Sequence, residues 1–234
     1  MNSFKFKQFV VSQSRAAMKV GTDGVLLGAW AGVAATDRRI LDIGTGTGVI
    51  ALMMAQRNES ARITAVEIDA PSAADARDNA ASSPWSDRVE VVCCDVAEYR
   101  PAEGFDLILS NPPYFSESLL PPDRSRAAAR HTDSLSFAAL ADSVRRLLNR
   151  GGRFALILPT AEALRFRTLA VERGLYPQRV AEVWSTPRSG AIRLLAEYAA
   201  EPLSEPPLPE RIVIDDGGFT QQYRMLTKDF YLKF

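Results

Sequence analysis

Four groups of residues in this 234-residue chain combine types and spacings that can do chemistry. The first is Asp42-Ile43-Gly44-Thr45-Gly46-Thr47-Gly48. Alternating glycines let a chain turn tightly and let a ligand approach backbone N–H groups where a helix begins. The second and third are single acids: Glu67, closing Ile63-Thr64-Ala65-Val66-Glu67, and Asp95, following Val91-Val92-Cys93-Cys94. A carboxylate in the first place can accept both hydroxyls of a ribose, and one in the second can accept from an adenine amino group. The fourth is Asn111-Pro112-Pro113-Tyr114, after Ser110. The exocyclic amine of adenine, like an amide nitrogen, is a poor nucleophile because its lone pair is delocalised. The Asn111 side-chain oxygen and the Pro112 carbonyl can each accept one of its N–H groups. Two fixed acceptors favour the more tetrahedral, electron-rich nitrogen of a transition state. Pro112 and Pro113 lock φ and remove competing donors, and Tyr114 offers an aromatic face on which a planar group can stack.

These groups meet only if the elements around them form a layered sheet. Short apolar runs read as strands at Arg39–Ile43, Arg62–Val66, Val89–Cys93, Phe105–Leu109 and Arg153–Leu158. Helices are expected at Val49–Gln56, almost wholly apolar and hence buried, and at Ser72–Ser82, with Pro71 at its start. Two more are expected at Phe137–Leu148, ended by Gly151-Gly152, and at Ala161–Arg173, ended by Gly174. Strand–helix alternation argues an α/β fold: a mostly parallel, doubly wound sheet covered on both faces. Strands near Gln178–Val183 and Ile192–Tyr198 have no helix between them, which implies an antiparallel edge strand. In such a sheet all four groups fall at the carboxyl ends of strands, where open α/β sheets bind ligands. The glycine spacing is G-x-G-x-G, and Val49 stands where a dinucleotide fingerprint needs glycine. That disfavours a nicotinamide oxidoreductase.

Composition narrows the class. With 47% hydrophobic and 24% charged residues the chain is not disordered, and its apolar runs are too short for a membrane span. The N-terminus lacks the apolar core of a signal peptide, and the two cysteines, Cys93 and Cys94, are adjacent, so a reduced cytoplasmic compartment is expected. Two thiols and a single histidine, His131, make no metal site, and His131 reads as structural or RNA-facing. Net charge is zero but uneven. Residues 1–20 carry Lys5, Lys7, Arg15 and Lys19 and no acid, and residues 124–193 carry 13 arginines against 5 acids. Such segments can grip phosphates. Lys5, Lys7, Arg15, Lys19, Arg124, Arg126 and Arg130 are the candidates. Phe4, Phe6 and Phe9 interleave with the first of them and can equally pack as core. A basic segment (1–21), a main domain (22–200) and a C-terminal segment (201–234) follow. The last opens on four prolines in Glu201–Pro209, a surface loop, and packs on the same domain.

The glycine loop with Glu67 and Asp95 resembles the class I methyltransferases that use S-adenosylmethionine, over about residues 22–200. The resemblance implies a Rossmann-like sheet of seven strands, the last antiparallel. It places Asp42, Gly44, Gly46 and Gly48 along the methionine part of the cofactor, Glu67 at ribose and Asp95 near adenine. Asn-Pro-Pro-Tyr is similar to the signature of enzymes methylating the amino groups of adenine or cytosine, or glutamine amides. Further segments match one subfamily: Met18-Lys19-Val20-Gly21-Thr22-Asp23-Gly24, Ser83-Pro84-Trp85, Ala129-Arg130-His131-Thr132 and the ending Leu226–Phe234. They resemble the bacterial tRNA adenine N(6)-methyltransferases that modify adenine 37 beside the anticodon of a valine tRNA. By that resemblance Thr22 and Asp23 help close the cofactor site, Asn111 faces the cofactor as well as the substrate, and Phe230-Tyr231 is a family mark. Residues 185–193 keep only Arg188 and Arg193 where relatives carry more lysine. A release-factor glutamine, an rRNA adenine and a non-catalytic cofactor- and RNA-binding module stay open as alternatives. Monomer and homodimer are equally compatible with the sequence.

Overall fold

The computed structural model describes residues 3–113 and 135–234. Tyr114, Arg124, Arg126, Arg130 and His131 therefore lie outside the described residues. Among the described residues the strands are β1 (Ser3–Lys5), β2 (Val10–Ser12), β3 (Arg39–Ile43), β4 (Arg62–Glu67), β5 (Val89–Cys93), β6 (Phe105–Ser110), β7 (Leu148–Pro159), β8 (Tyr176–Trp184), β9 (Ala191–Ala199) and β10 (Glu210–Val213). The helices are α1 (Thr22–Trp30), α2 (Val49–Arg57), α3 (Ala70–Ala81), α4 (Phe137–Leu147), α5 (Thr160–Glu172) and α6 (Gln221–Thr227).

Eight strands form one sheet in the order β10-β8-β9-β7-β6-β3-β4-β5. The pairs β5–β4, β4–β3, β3–β6 and β6–β7 are parallel, while β9 runs antiparallel to both β7 and β8. The mostly parallel, doubly wound sheet is as the sequence implies, but it has eight strands where seven were expected and its antiparallel strand is not at the edge. The antiparallel strand β9 lies inside the margin, between β7 and β8, and β10 extends the sheet by an eighth, parallel strand.

Strand residues alternate between two cores because successive side chains face opposite sides. Ile40, Ile63, Leu107, Leu109, Ala155 and Ile157 pack with α1 and α2 on one face. Leu41, Ile43, Val66, Ile108, Phe154 and Leu156 pack with α4 and α5 on the other. Helix α2 is buried along nearly its whole length, packed against α1 beside it and against β3, β4 and β5. Gly28 allows the contact: a Cβ there would stand 2.6 Å from Met53 Sδ. Helix α3 starts where Asp69 accepts from Ser72 N at 2.9 Å, with Pro71 in the first turn.

Gly151-Gly152 do not stop a helix from a distance. Helix α4 ends at Leu147, and β7 begins at the next residue. The register with β6 jumps from Phe105↔Leu148 to Leu107↔Arg153, so the glycines sit in a bulge, with Gly151 at φ +74°.

The two ends of the chain clasp each other. Phe6 and Phe9 are core, stacked at 4.5 Å between ring centroids, and Tyr231 stacks on Phe6 at 6.2 Å. Lys7 Nζ donates to the Lys228 and Phe234 carbonyls, each at 2.6 Å, and Lys7 N donates to Phe230 O. Residues 201–209 form an exposed loop without regular structure. No helix among the described residues is long and apolar enough to cross a membrane.

Candidate functional site

Parallel strands deliver β3, β4, β5 and β6 to one edge of the sheet, and the loops leaving them line a cleft of about 970 Å³. Gly44, Gly46, Glu67, Asp95, Asn111, Pro112 and Pro113 line it, joined by Thr22 and Asp23 from the start of α1.

The glycine loop is fastened from below. Gly44 N and Thr45 N both donate to Val66 O, at 2.8 and 3.1 Å. Gly44, Gly46 and Gly48 have φ of +70°, +56° and +83°, the left-handed region that favours glycine. A Cβ on Gly44 or Gly46 would meet no heavy atom within 4 Å, so these positions open onto free space.

Asp42 stands one layer below the surface it was expected to line. It is fully buried. Its Oδ2 accepts from Thr45 Oγ1 at 2.5 Å and from Ala51 N at 3.2 Å, tying the loop to α2. Its Oδ1 is buried without a hydrogen-bond partner. Burial pushes this carboxyl up to about 7, and the nearby charge of Glu67 adds to the rise, while the Thr45 and Ala51 hydrogen bonds oppose it.

Glu67 is buried at the end of β4. Its Oε2 accepts from Gly46 N at 2.8 Å and its Oε1 from Asp69 N at 2.9 Å. Each oxygen keeps a lone pair for a further donor. Asp95 is exposed, and its Oδ1 accepts from Ala97 N at 2.8 Å. The cleft is also lined by Ile68, a large apolar side chain 56% exposed, and by buried Val96, the residues next to the two acids in sequence. Ser110 Oγ donates to Ile43 O at 2.9 Å and so holds the base of the Asn111 loop to β3. Asn111 is half-buried, and a Cβ on Gly24 of α1 would lie 4.0 Å from its Nδ2.

The cation candidates divide. Arg15 pairs with Asp75 at 2.7 Å and with Asp78, Lys19 Nζ donates to the Gln13 and Ala16 carbonyls, and Lys7 is spent on the C-terminus. Lys5 is exposed. The sequence assigns no site role to Ile68 or Val96, and Arg193 stands in it only as a member of the basic segment 124–193. Arg193 lines the cleft from β9, and its Nε donates to Asp23 Oδ2 at 2.8 Å. Its signal was faint: one of two arginines kept in residues 185–193. Cys94 also lines the cleft, with its thiol raised by burial; both cysteines are free thiols. No group of three or more His, Cys, Asp or Glu among the described residues could hold a metal ion.

A glycine loop between β3 and α2, acids at the ends of the next two strands and an antiparallel strand next to β7 define a class I methyltransferase. The methyltransferase small domain family matches residues 14–161. A solved structure from Agrobacterium tumefaciens, described as a predicted O-methyltransferase, shares the fold at a TM-score of 0.64 and 22% identity, over 89% of this chain and 96% of that one. Two tRNA1(Val) (adenine(37)-N6)-methyltransferases are similar along almost the whole length. The one from Bacteroides thetaiotaomicron is 45% identical, and the one from Phocaeicola vulgatus 46%; each match covers 98% of this chain and 97% of the relative. The chain belongs to the tRNA1(Val) (adenine(37)-N6)-methyltransferase family.

Proposed function

We propose that this chain transfers a methyl group from S-adenosylmethionine to the exocyclic amino group of adenine 37 in the anticodon loop of valine tRNA, in the cytoplasm. One observation carries the reading: Asn111 and Pro112 share a single cleft with the glycine loop, Glu67 and Asp95.

The residues fit the cofactor. The open space above Gly44 and Gly46 is a cradle that a Cβ would fill, and it suits the methionyl part. Glu67, held by two backbone N–H groups, offers its remaining lone pairs to the ribose hydroxyls. Ile68 and Val96 present apolar faces to adenine, with Asp95 at its amino group. Thr22 and Asp23 close the side formed by α1. When bound, S-adenosylmethionine supplies an electrophilic methyl group on a positively charged sulfur.

The chain supplies position and polarity. Asn111 Oδ1 and the Pro112 carbonyl accept the two N–H groups of the target amine, so its lone pair turns out of the ring plane. The Ser110–Ile43 hydrogen bond and the two prolines keep these acceptors fixed, which is the preorganisation that favours the transition state. Alignment of nitrogen and methyl carbon does much of the remaining work. No base is needed beside the amine, because the proton can leave after methylation. Pro113 shapes the loop, and Tyr114 stacks on the flipped base.

A base in a stacked loop must be extruded at a cost of a few kcal/mol, so the enzyme also grips the RNA backbone. Among the described candidates Lys7, Arg15 and Lys19 have intramolecular partners and Lys5 is exposed, so Lys5 joins that grip, with Arg124, Arg126 and Arg130 as the further candidates the sequence offers. The test is Asn111→Ala. Methylation of tRNA is expected to fall by about 10²–10³-fold, while S-adenosylhomocysteine affinity changes little. A parallel collapse of both would overturn the assignment of Asn111 to the amine.

A further inference from the structure

The proposed reaction gives no part to Arg193, yet this side chain joins two walls of the cleft. Helix α1 packs beside β7 and is tied to the neighbouring strand β9 by a side chain at each end. At the first turn, Arg193 Nε donates to Asp23 Oδ2 at 2.8 Å, each side chain 24% exposed. Just past the last turn, Gly32 N donates to buried Glu197 of the same strand. The spacing matches, since four strand residues span about 13 Å and a nine-residue helix about 13.5 Å.

The far end of α1 has further anchors, because Arg57 Nη1 donates to the Gly28 and Ala31 carbonyls at 2.8 and 2.7 Å. At the near end the cap residue is Gly21, and no side chain caps the helix. There the Asp23–Arg193 pair does the holding. The next residue, Gly24, packs close to Val49 of α2 and to Asn111, so a shift of this turn reaches the acceptor amide. The pair also sets charge. Without the guanidinium, Asp23 would leave an uncompensated, partly buried carboxylate in the wall of the cleft.

We propose that Arg193 is a positioning residue: acting through Asp23, it fixes and neutralises the first turn of α1 as the wall of the methyl-donor site. The proposal rests on the assignment of this cleft to S-adenosylmethionine.

The experiment is calorimetric titration of the full-length protein and its variants with S-adenosylhomocysteine, with thermal melting beside it. R193Q is expected to weaken binding by about tenfold, equivalent to about 1.4 kcal/mol. R193K is expected to recover most of the loss. D23N/R193Q is expected to bind no more weakly than R193Q, because the two residues act as one unit. In turnover assays, KM for S-adenosylmethionine rises while KM for tRNA holds. If R193Q does not fold, R193K and D23N carry the test, the first near wild type and the second weakened. Wild-type affinity in a folded R193Q, or additive losses from D23N and R193Q, would overturn the proposal. A wild-type protein that binds no S-adenosylhomocysteine would overturn the cofactor assignment beneath it.

Discussion

The buried carboxyl of Asp42 makes the stability of this protein depend on pH in a direction that its structure fixes. The group rises from 3.8 to about 7 because it is fully buried, and one oxygen lacks a partner. Between these two values the native protein holds a proton that the unfolded chain has released. Stability therefore falls as pH rises through that window and levels off above it. The whole shift corresponds to about 4 kcal/mol. By linkage, roughly 2.5 kcal/mol of this falls between about pH 5 and about pH 8. Asp42→Asn removes the titration and can keep an acceptor for Thr45 Oγ1 and Ala51 N. The assay is urea unfolding of wild type and D42N across that range, read as the difference between the two curves so that other titrating groups cancel. Wild type should lose stability relative to D42N as pH rises. Curves that run parallel within about 0.5 kcal/mol would refute the argument that burial dominates at this carboxyl.

Two further substitutions separate the site from the scaffold. Gly46→Ala places a methyl group in the open cradle at φ +56°. It should cost about 1 kcal/mol in stability but weaken S-adenosylhomocysteine binding by more than about tenfold in calorimetry, and unchanged affinity would contradict the cradle. Gly28→Ala drives a Cβ to 2.6 Å from Met53 Sδ between α1 and α2. Overpacking there should lower unfolding free energy by about 1–3 kcal/mol in denaturant titrations, and a neutral result would mean that the two helices can part.

The central sheet and its binding edge were legible because local signals agreed there. Apolar runs of strand length stop at Gly44, Glu67, Asp95 and Asn111, and parallel pairing then brings those stops together. What stayed hidden depends on distant partners. Helix α1 is apolar nearly all round (Val25-Leu26-Leu27-Gly28-Ala29-Trp30), so no periodicity betrays it. Its place is set by Met53 and by β9. The three-residue strands β1 and β2 and the late β10 carry too few residues to show a pattern. Gly151-Gly152 read as a helix stop because the bulge that needs them is defined by β6. The intramolecular partners of Lys7 and Arg15 stayed hidden too, because they lie at the C-terminus and in α3, far away in sequence. Asp42 was identified as part of the site, but only burial shows that it supports the loop from beneath.

The most direct test of the proposed function is nucleoside mass spectrometry of unmodified valine tRNA incubated with the pure protein and S-adenosylmethionine, with the modified position mapped by nuclease fragments. The expected result is N(6)-methyladenosine at position 37, absent with Asn111→Ala. Methylation at another nucleoside, or none by a protein that binds the cofactor, would contradict it.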